Sequence, residues 1–201
     1  DYAYGLARVT TGSWVHSYAP HANRKIKGSG SLLRLTPSGP EEVAYGFRNP
    51  LGFAAGPEGG IFFTDNQGEW VATSKLGHIE AGRYYGFPNA EQKEHAKLPA
   101  GPACVWIPYA WGRCVNGLVW CNTGGRFGPF EGQIFLAELM FGGAILRANV
   151  ERVNGGMQGA CFPFWGKGLM GPLTMTFDPR GRLYVGSITE PLYAKSPLMS
   201  Y

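Results

Sequence analysis

Charged residues are scarce, at 16% of the chain. Coiled coils and helical bundles need long runs of Ala, Glu, Lys, Leu and Arg, so those architectures are excluded. Also missing is any uninterrupted apolar stretch of the roughly 20 residues that a membrane helix requires. Gly or Pro breaks the longest apolar runs, and no membrane span is expected. There is no basic stripe with interleaved aromatics. The net charge of +4 is dispersed apart from Arg24, Lys25 and Lys27, which read as a solvated loop, so nucleic acid is not an expected partner. Neither Cys-x-x-Cys nor Cys-x-x-Cys-His occurs, which argues against a zinc ribbon and against covalent haem on this chain. The chain opens on Asp1 with no charged-then-apolar leader, and is expected to be a processed product or part of something longer.

What is present points to strands. Hydrophobic residues make up 44% and aromatics 14% of 201 residues, enough to fill a core, and 31 glycines with 15 prolines suit many short strands joined by tight turns. Four cysteines, Cys104, Cys114, Cys121 and Cys161, fix no compartment. Cys114 and Cys121 flank Asn116-Gly117, a two-residue hairpin signal, across which they would sit diagonally; a disulfide is neither demanded nor excluded.

Self-similarity is the main signal. Segments around Gly12, Gly59, Gly132 and Gly181 share a small or apolar approach, a glycine turn and an alternating aromatic and β-branched strand, at spacings of 47, 73 and 49 residues. Companion strands follow at Ser31–Leu35, Lys75–Ile79 and Ala144–Ala148. A period near 48 is that of a β-propeller blade, which spans about 40–50 residues. The expected fold is an all-β, partial β-propeller domain over 1–201, with about four blade units starting near 3, 50, 122 and 172. The long interval predicts a Pro- and aromatic-rich insertion at about 89–117, where Pro99, Pro102 and Pro108 should break strands. Closed propellers run from four to eight blades, so a four-bladed ring is one reading, and a fragment of a larger ring is the expected one.

The stretch Phe47-Arg48-Asn49-Pro50-Leu51-Gly52-Phe53, then Asp65-Asn66-Gln67-Gly68, then Arg83-Tyr84-Tyr85-Gly86-Phe87-Pro88, resembles the glucose/sorbosone dehydrogenases. These are six-bladed propellers that use pyrroloquinoline quinone (PQQ) and calcium. Thr64 to Gly68, Gly128-Pro129-Phe130 and Gly159 to Phe164 are more similar still to large secreted dehydrogenase-like propellers of planctomycete-type bacteria, which often carry a cytochrome c domain. The resemblance implies Arg48, Asn49 and Gln67 as quinone contacts, and backbone carbonyls of Gly68 and Glu69 as calcium ligands. An arginine suits a quinone carboxylate as a bidentate partner, and calcium accepts backbone oxygens. The resemblance also implies a periplasmic or extracellular location, a sugar ligand, and a cytochrome c or other subunits as partners. Departures are clear: the family's paired cations fall near Gly171 and Leu173, its cofactor lysine near Phe141, and neither His16 nor His21 registers on its catalytic histidine.

Other residues have competing roles. Arg-Asn-Pro at 48–50 also serves as an inter-blade turn, and Asp65 as a turn cap or a metal ligand. His78 reads as a satisfied strand histidine and His95 as solvated surface. Trp106, Tyr109 and Trp111 suit sugar stacking, a protein anchor or cover for a blade edge. Three functions follow: a quinoprotein-like sugar or aldehyde oxidoreductase, a non-catalytic propeller acting as a binding or assembly subunit of a secreted complex, and a calcium-dependent lactonase-like hydrolase built on Asn49, Asp65 and Asn66.

Overall fold

The computed structural model describes residues 6–9, 13–16, 30–67, 73–87, 98–139, 143–166, 168–169 and 171–188. These residues form strands and turns with no helix, in antiparallel sheets whose strands follow chain order. The first sheet holds β1 (Leu6–Val9), β2 (Ser13–His16), β3 (Ser31–Thr36) and β4 (Gly39–Tyr45). The second holds β5 (Pro50–Ala55), β6 (Ile61–Asp65), β7 (Lys75–His78) and β8 (Ala103–Trp106). In the third are β9 (Val115–Trp120), β10 (Ile134–Glu138), β11 (Ala144–Val153) and β12 (Gly156–Trp165). A two-stranded sheet of β13 (Pro172–Phe177) and β14 (Leu183–Ser187) follows. The first strands neighbour one another in sequence, β1 against β5, β5 against β9 and β9 against β13. Meander sheets radiating from a row of first strands are propeller blades.

The apolar pattern explains the stacking. Phe62 and Phe63 point to opposite faces of the second sheet, as neighbours on a strand must. Phe62 joins Leu76, Val115, Leu118 and Leu136 between the second and third blades, whereas Phe63 joins Leu32, Phe47 and Tyr85 against the first. On β10, Ile134 and Leu136 face the second blade, while Phe135 and Ala137 pack with Met175 toward the fourth. Sheets buried on both faces read as apolar runs rather than clean alternation. Each such side chain contributes about 1.5–3 kcal/mol.

Two expectations change. Asn116 and Gly117 lie inside β9, not in a hairpin turn, because Val115, Leu118 and Asn116 are buried against neighbouring blades. Cys104, Cys114, Cys121 and Cys161 are all free thiols. The stretch 89–117 holds β8 and the start of β9: Pro102 and Pro108 bracket β8 at its ends, where proline costs no ladder hydrogen bond. The third sheet accordingly begins at Val115. Within the long β7–β8 connection, Arg83 to Phe87 lies alongside the end of β4, with Tyr45 N donating to Arg83 O and Tyr85 N to Tyr45 O. Gly12, His21, the basic cluster at 24–27, Gly68, Glu69, Pro88, His95 and Phe141 lie outside the described residues.

Candidate functional site

The candidate site stands at one end of the first strands, where the chain leads into β5 and leaves β6. Asp65, the last residue of β6, is buried and accepts two successive backbone N–H groups, from Asn49 at 2.7 Å and Arg48 at 3.2 Å. Those amides precede Pro50, which keeps Asn49 out of the helical region and leaves both donors to a side chain. Asp65 is therefore the cap of the Arg-Asn-Pro turn. It also faces Lys75 Nζ at 3.7 Å, an ion pair with both members buried. The Lys75 ammonium donates to the Tyr85 carbonyl at 2.6 Å. Burial pulls the Lys75 pKa down, and the Asp65 charge acts in the opposite direction.

The same device recurs one blade on. Glu138 ends β10, is fully buried, and accepts the backbone N–H of Arg113 and of Cys114, each at 3.1 Å. The backbone pairing matches too: Asn66 N donates to Asn49 O, Leu139 N to Cys114 O, and Ile188 N to Gly171 O in the fourth sheet. Asn49, Cys114 and Gly171 are thus blade equivalents, and so are Asp65, Glu138 and Ser187. Asn66 ties the second blade to the third, its Oδ1 accepting from Val115 N at 2.8 Å.

The expected residues Arg48, Asn49 and Gln67 come together at this end of the second blade. The Gln67 side-chain oxygen accepts from Ser74 Oγ at 2.9 Å. Ser74 Oγ also lies 3.3 Å from Arg113 O, which brings Gln67 beside the turn leading into β9. His16 closes β2, opposite Leu6. Leu173 and Gly171 stand in the fourth sheet and its approach, and bring no charge. Sequence reasoning missed Arg113 and Glu138. Arg113 lies over the Tyr109 ring, 4.2 Å from its centre, in a loop that also carries the exposed Trp111. Cys114 beside it has a thiol pushed up to about 12 by burial and then by the Glu138 charge, with Arg48 acting the other way. Among the described residues, no group of three or more His, Cys, Asp or Glu could hold a metal ion. Asp65 spends its carboxylate on two backbone N–H groups and the Lys75 ammonium, and Asn66 accepts from Val115 N.

No protein-family model and no curated protein matches this chain. Solved structures do. A crystal structure of a glucose dehydrogenase matches with a TM-score of 0.67 and 21% identity, over 86% of this chain and 56% of that one. A putative oxidoreductase (glucose dehydrogenase) of Thermus thermophilus matches at 0.65 and 18%, over 92% and 59%. The PQQ-bound aldose sugar dehydrogenase of Streptomyces coelicolor matches at 0.62 and 19%, over 87% and 52%. The class is therefore an all-β propeller with the fold of the sugar dehydrogenases. The chain spans a little over half the length of the structures it matches. Among the described residues, no helix is long and apolar enough to cross a membrane.

Proposed function

We propose that this chain forms part of a quinoprotein-type sugar or aldehyde oxidoreductase, with the quinone seated beside Arg48, Asn49 and Gln67. The observation that carries this is the repeated carboxylate clamp, which holds the backbone of Arg48 and Arg113 at equivalent positions of adjacent blades, at one end of the first strands. The donor set fits a polycarboxylate quinone: two guanidiniums offer bidentate partners, and the amides of Asn49 and Gln67 are neutral hydrogen-bonding groups. The shared fold with solved sugar dehydrogenases, one of them PQQ-bound, supports the same choice. When bound, the quinone would supply the acceptor for a substrate hydride.

The chain's own residues would bind and orient. Asp65 and Glu138 hold the turns before β5 and β9 rigid, and the Tyr109 ring limits how far Arg113 can swing. Calcium is proposed on the carbonyls of Gly68 and Glu69, and a cytochrome c or another subunit of a secreted assembly as electron acceptor. Titration of the protein with PQQ and calcium, followed by tryptophan fluorescence, tests this. Saturable quenching at micromolar quinone, lost in Arg48→Ala, and dye reduction with glucose are expected. No quenching and no dye reduction would overturn it.

One observation favours a non-catalytic propeller subunit as the second reading. Gly171 occupies the fourth-sheet equivalent of Asn49 and Cys114, so an uncharged residue stands where the resemblance calls for cationic ones. Quenching by PQQ without any turnover would select that reading.

A further inference from the structure

The chain contains two Asn-Gly pairs, and the fold treats them in opposite ways. Asn116-Gly117 lies inside β9, with Asn116 buried and its Nδ2 donating to Cys114 O at 3.2 Å. The Asn116 carbonyl accepts from Thr64 Oγ1 of the second blade at 2.7 Å. Gly117 lies so close to the fourth sheet that a Cβ there would stand 2.5 Å from Leu173 O. Turning a peptide plane at this point would pull β9 away from the blades on both sides.

Asn154-Gly155 is the whole loop between β11 and β12, whose last facing pair is Val153 with Gly156. Asn154 is the one non-glycine residue with positive φ among the described residues, at +50°, and Gly155 follows at +83°. Two successive left-handed residues make the tight turn that Asn-Gly favours. Val153, Asn154 and Gly155 are all exposed, and a Cβ on Gly155 would meet nothing within 4 Å. The Gly155 N–H has no backbone partner among the described residues. Arg152 Nη1 reaches the Gly155 carbonyl at 3.3 Å, in the open. The tip therefore opens at the cost of its last ladder bonds, while the body of the hairpin stays packed.

We propose that Asn154 is a modification site, at which the folded protein deamidates while Asn116 is protected. In the opened tip the Gly155 nitrogen gives up its proton and attacks Asn154 Cγ. The N–Cγ bond forms, the Cγ–Nδ2 bond breaks, and the amide nitrogen leaves with that proton as ammonia. Glycine leaves its own nitrogen unhindered for this attack, having no side chain. Water then opens the cyclic imide at one of its two carbonyls. Breaking the bond to Cγ gives aspartate on an unaltered backbone. Breaking the backbone bond gives isoaspartate, with the side-chain methylene now part of the main chain.

Either product places a negative charge at the tip, two residues from Arg152. That arginine reaches Glu58 at 4.0 Å across a groove of about 510 Å³ between the second and third blades. The isoaspartyl form also lengthens the loop, so it no longer holds Val153 opposite Gly156. The modification thus acts on the hairpin that walls the groove, and it is independent of the quinone assignment.

The test is incubation of the folded protein at mildly alkaline pH, followed by tryptic mapping and labelling with an isoaspartate methyltransferase. Asn154 falls in the peptide Val153–Lys167, where it is the sole asparagine, and Asn116 falls in Cys114–Arg126. Fragmentation of each peptide locates the acid that forms. Asn154 is expected to convert, with methyltransferase label on its peptide, while Asn116 keeps its amide. In urea both should convert, which shows that the fold makes the difference. Asn154→Gly keeps a turn that tolerates positive φ and should abolish the label on that peptide. An Asn154 amide that survives in the folded protein over several half-conversion times of the unfolded chain would overturn the proposal. So would conversion of Asn116 as fast as Asn154 in the folded protein, or label that persists in Asn154→Gly.

Discussion

Asp65 and Glu138 are the same residue of two successive blades: each ends a second strand, each is buried, and each holds two consecutive backbone N–H groups ahead of a first strand. Asp65 in addition faces a buried ammonium, that of Lys75. Asp65→Asn should therefore be strongly destabilising, since removing one partner of a buried pair costs about 3–5 kcal/mol. Urea denaturation measures the loss. The double variant Asp65→Asn with Lys75→Met should regain stability over Asp65→Asn alone; strictly additive losses would remove the ion pair from the account.

Gly59 and Gly181 occupy equivalent first hairpins and both have positive φ, +78° and +82°. A Cβ at Gly59 meets nothing within 4 Å, whereas at Gly181 it would lie 2.5 Å from Arg126 Cβ and 3.0 Å from its carbonyl carbon. Gly59→Val should lose about 1–3 kcal/mol from backbone strain alone. Gly181→Val should lose more, because Arg126 must shift. Thermal melts of the two variants decide it, and equal stability to the parent at either position would break the blade equivalence.

The Cys114 thiol, raised to about 12, is almost wholly protonated at pH 8 and should alkylate far more slowly than a free thiol. Mass spectrometry after iodoacetamide treatment measures this site by site. Arg48 acts to lower that pKa, so Arg48→Ala should slow the reaction further. A fast reaction at pH 8 would contradict the burial of the thiol.

Glu131 accepts N–H groups from Gly125 and Thr123, which hold its pKa below the ordinary carboxylate value. A depressed folded value means stability that is present above the unfolded pKa and lost as pH falls through the folded one. Glu131→Gln should melt lower than the parent at pH 7, with the gap closing below about pH 4. A gap independent of pH would show that the carboxylate charge is not what the loop uses.

Much of the fold was legible in the chain itself. Glycine turns recurring near a blade period, followed by strands such as Ser31–Leu35 and Ala144–Ala148, specify antiparallel meanders whatever surrounds them, because turn geometry is local. The 73-residue offset between Gly59 and Gly132 also carries Asp65 onto Glu138. It does not carry Arg48 onto Arg113, because the loop from Cys121 to Gln133 is longer than the turn from Gly56 to Gly60, which shifts everything upstream of it. Asn116-Gly117 misled for a related reason: a strong turn dipeptide is overruled when its neighbours Val115 and Leu118 are needed in the core between two blades. Local chemistry in the sequence thus determined that this protein is built of repeated antiparallel meanders, and a family resemblance pointed to Arg48, Asn49 and Gln67. Only the tertiary structure decided that a second arginine joins them, that Asp65 is spent on backbone and Lys75, and that a groove lies between the second and third blades. Each of these depends on which blade packs beside which, and contacts between distant segments leave no local pattern.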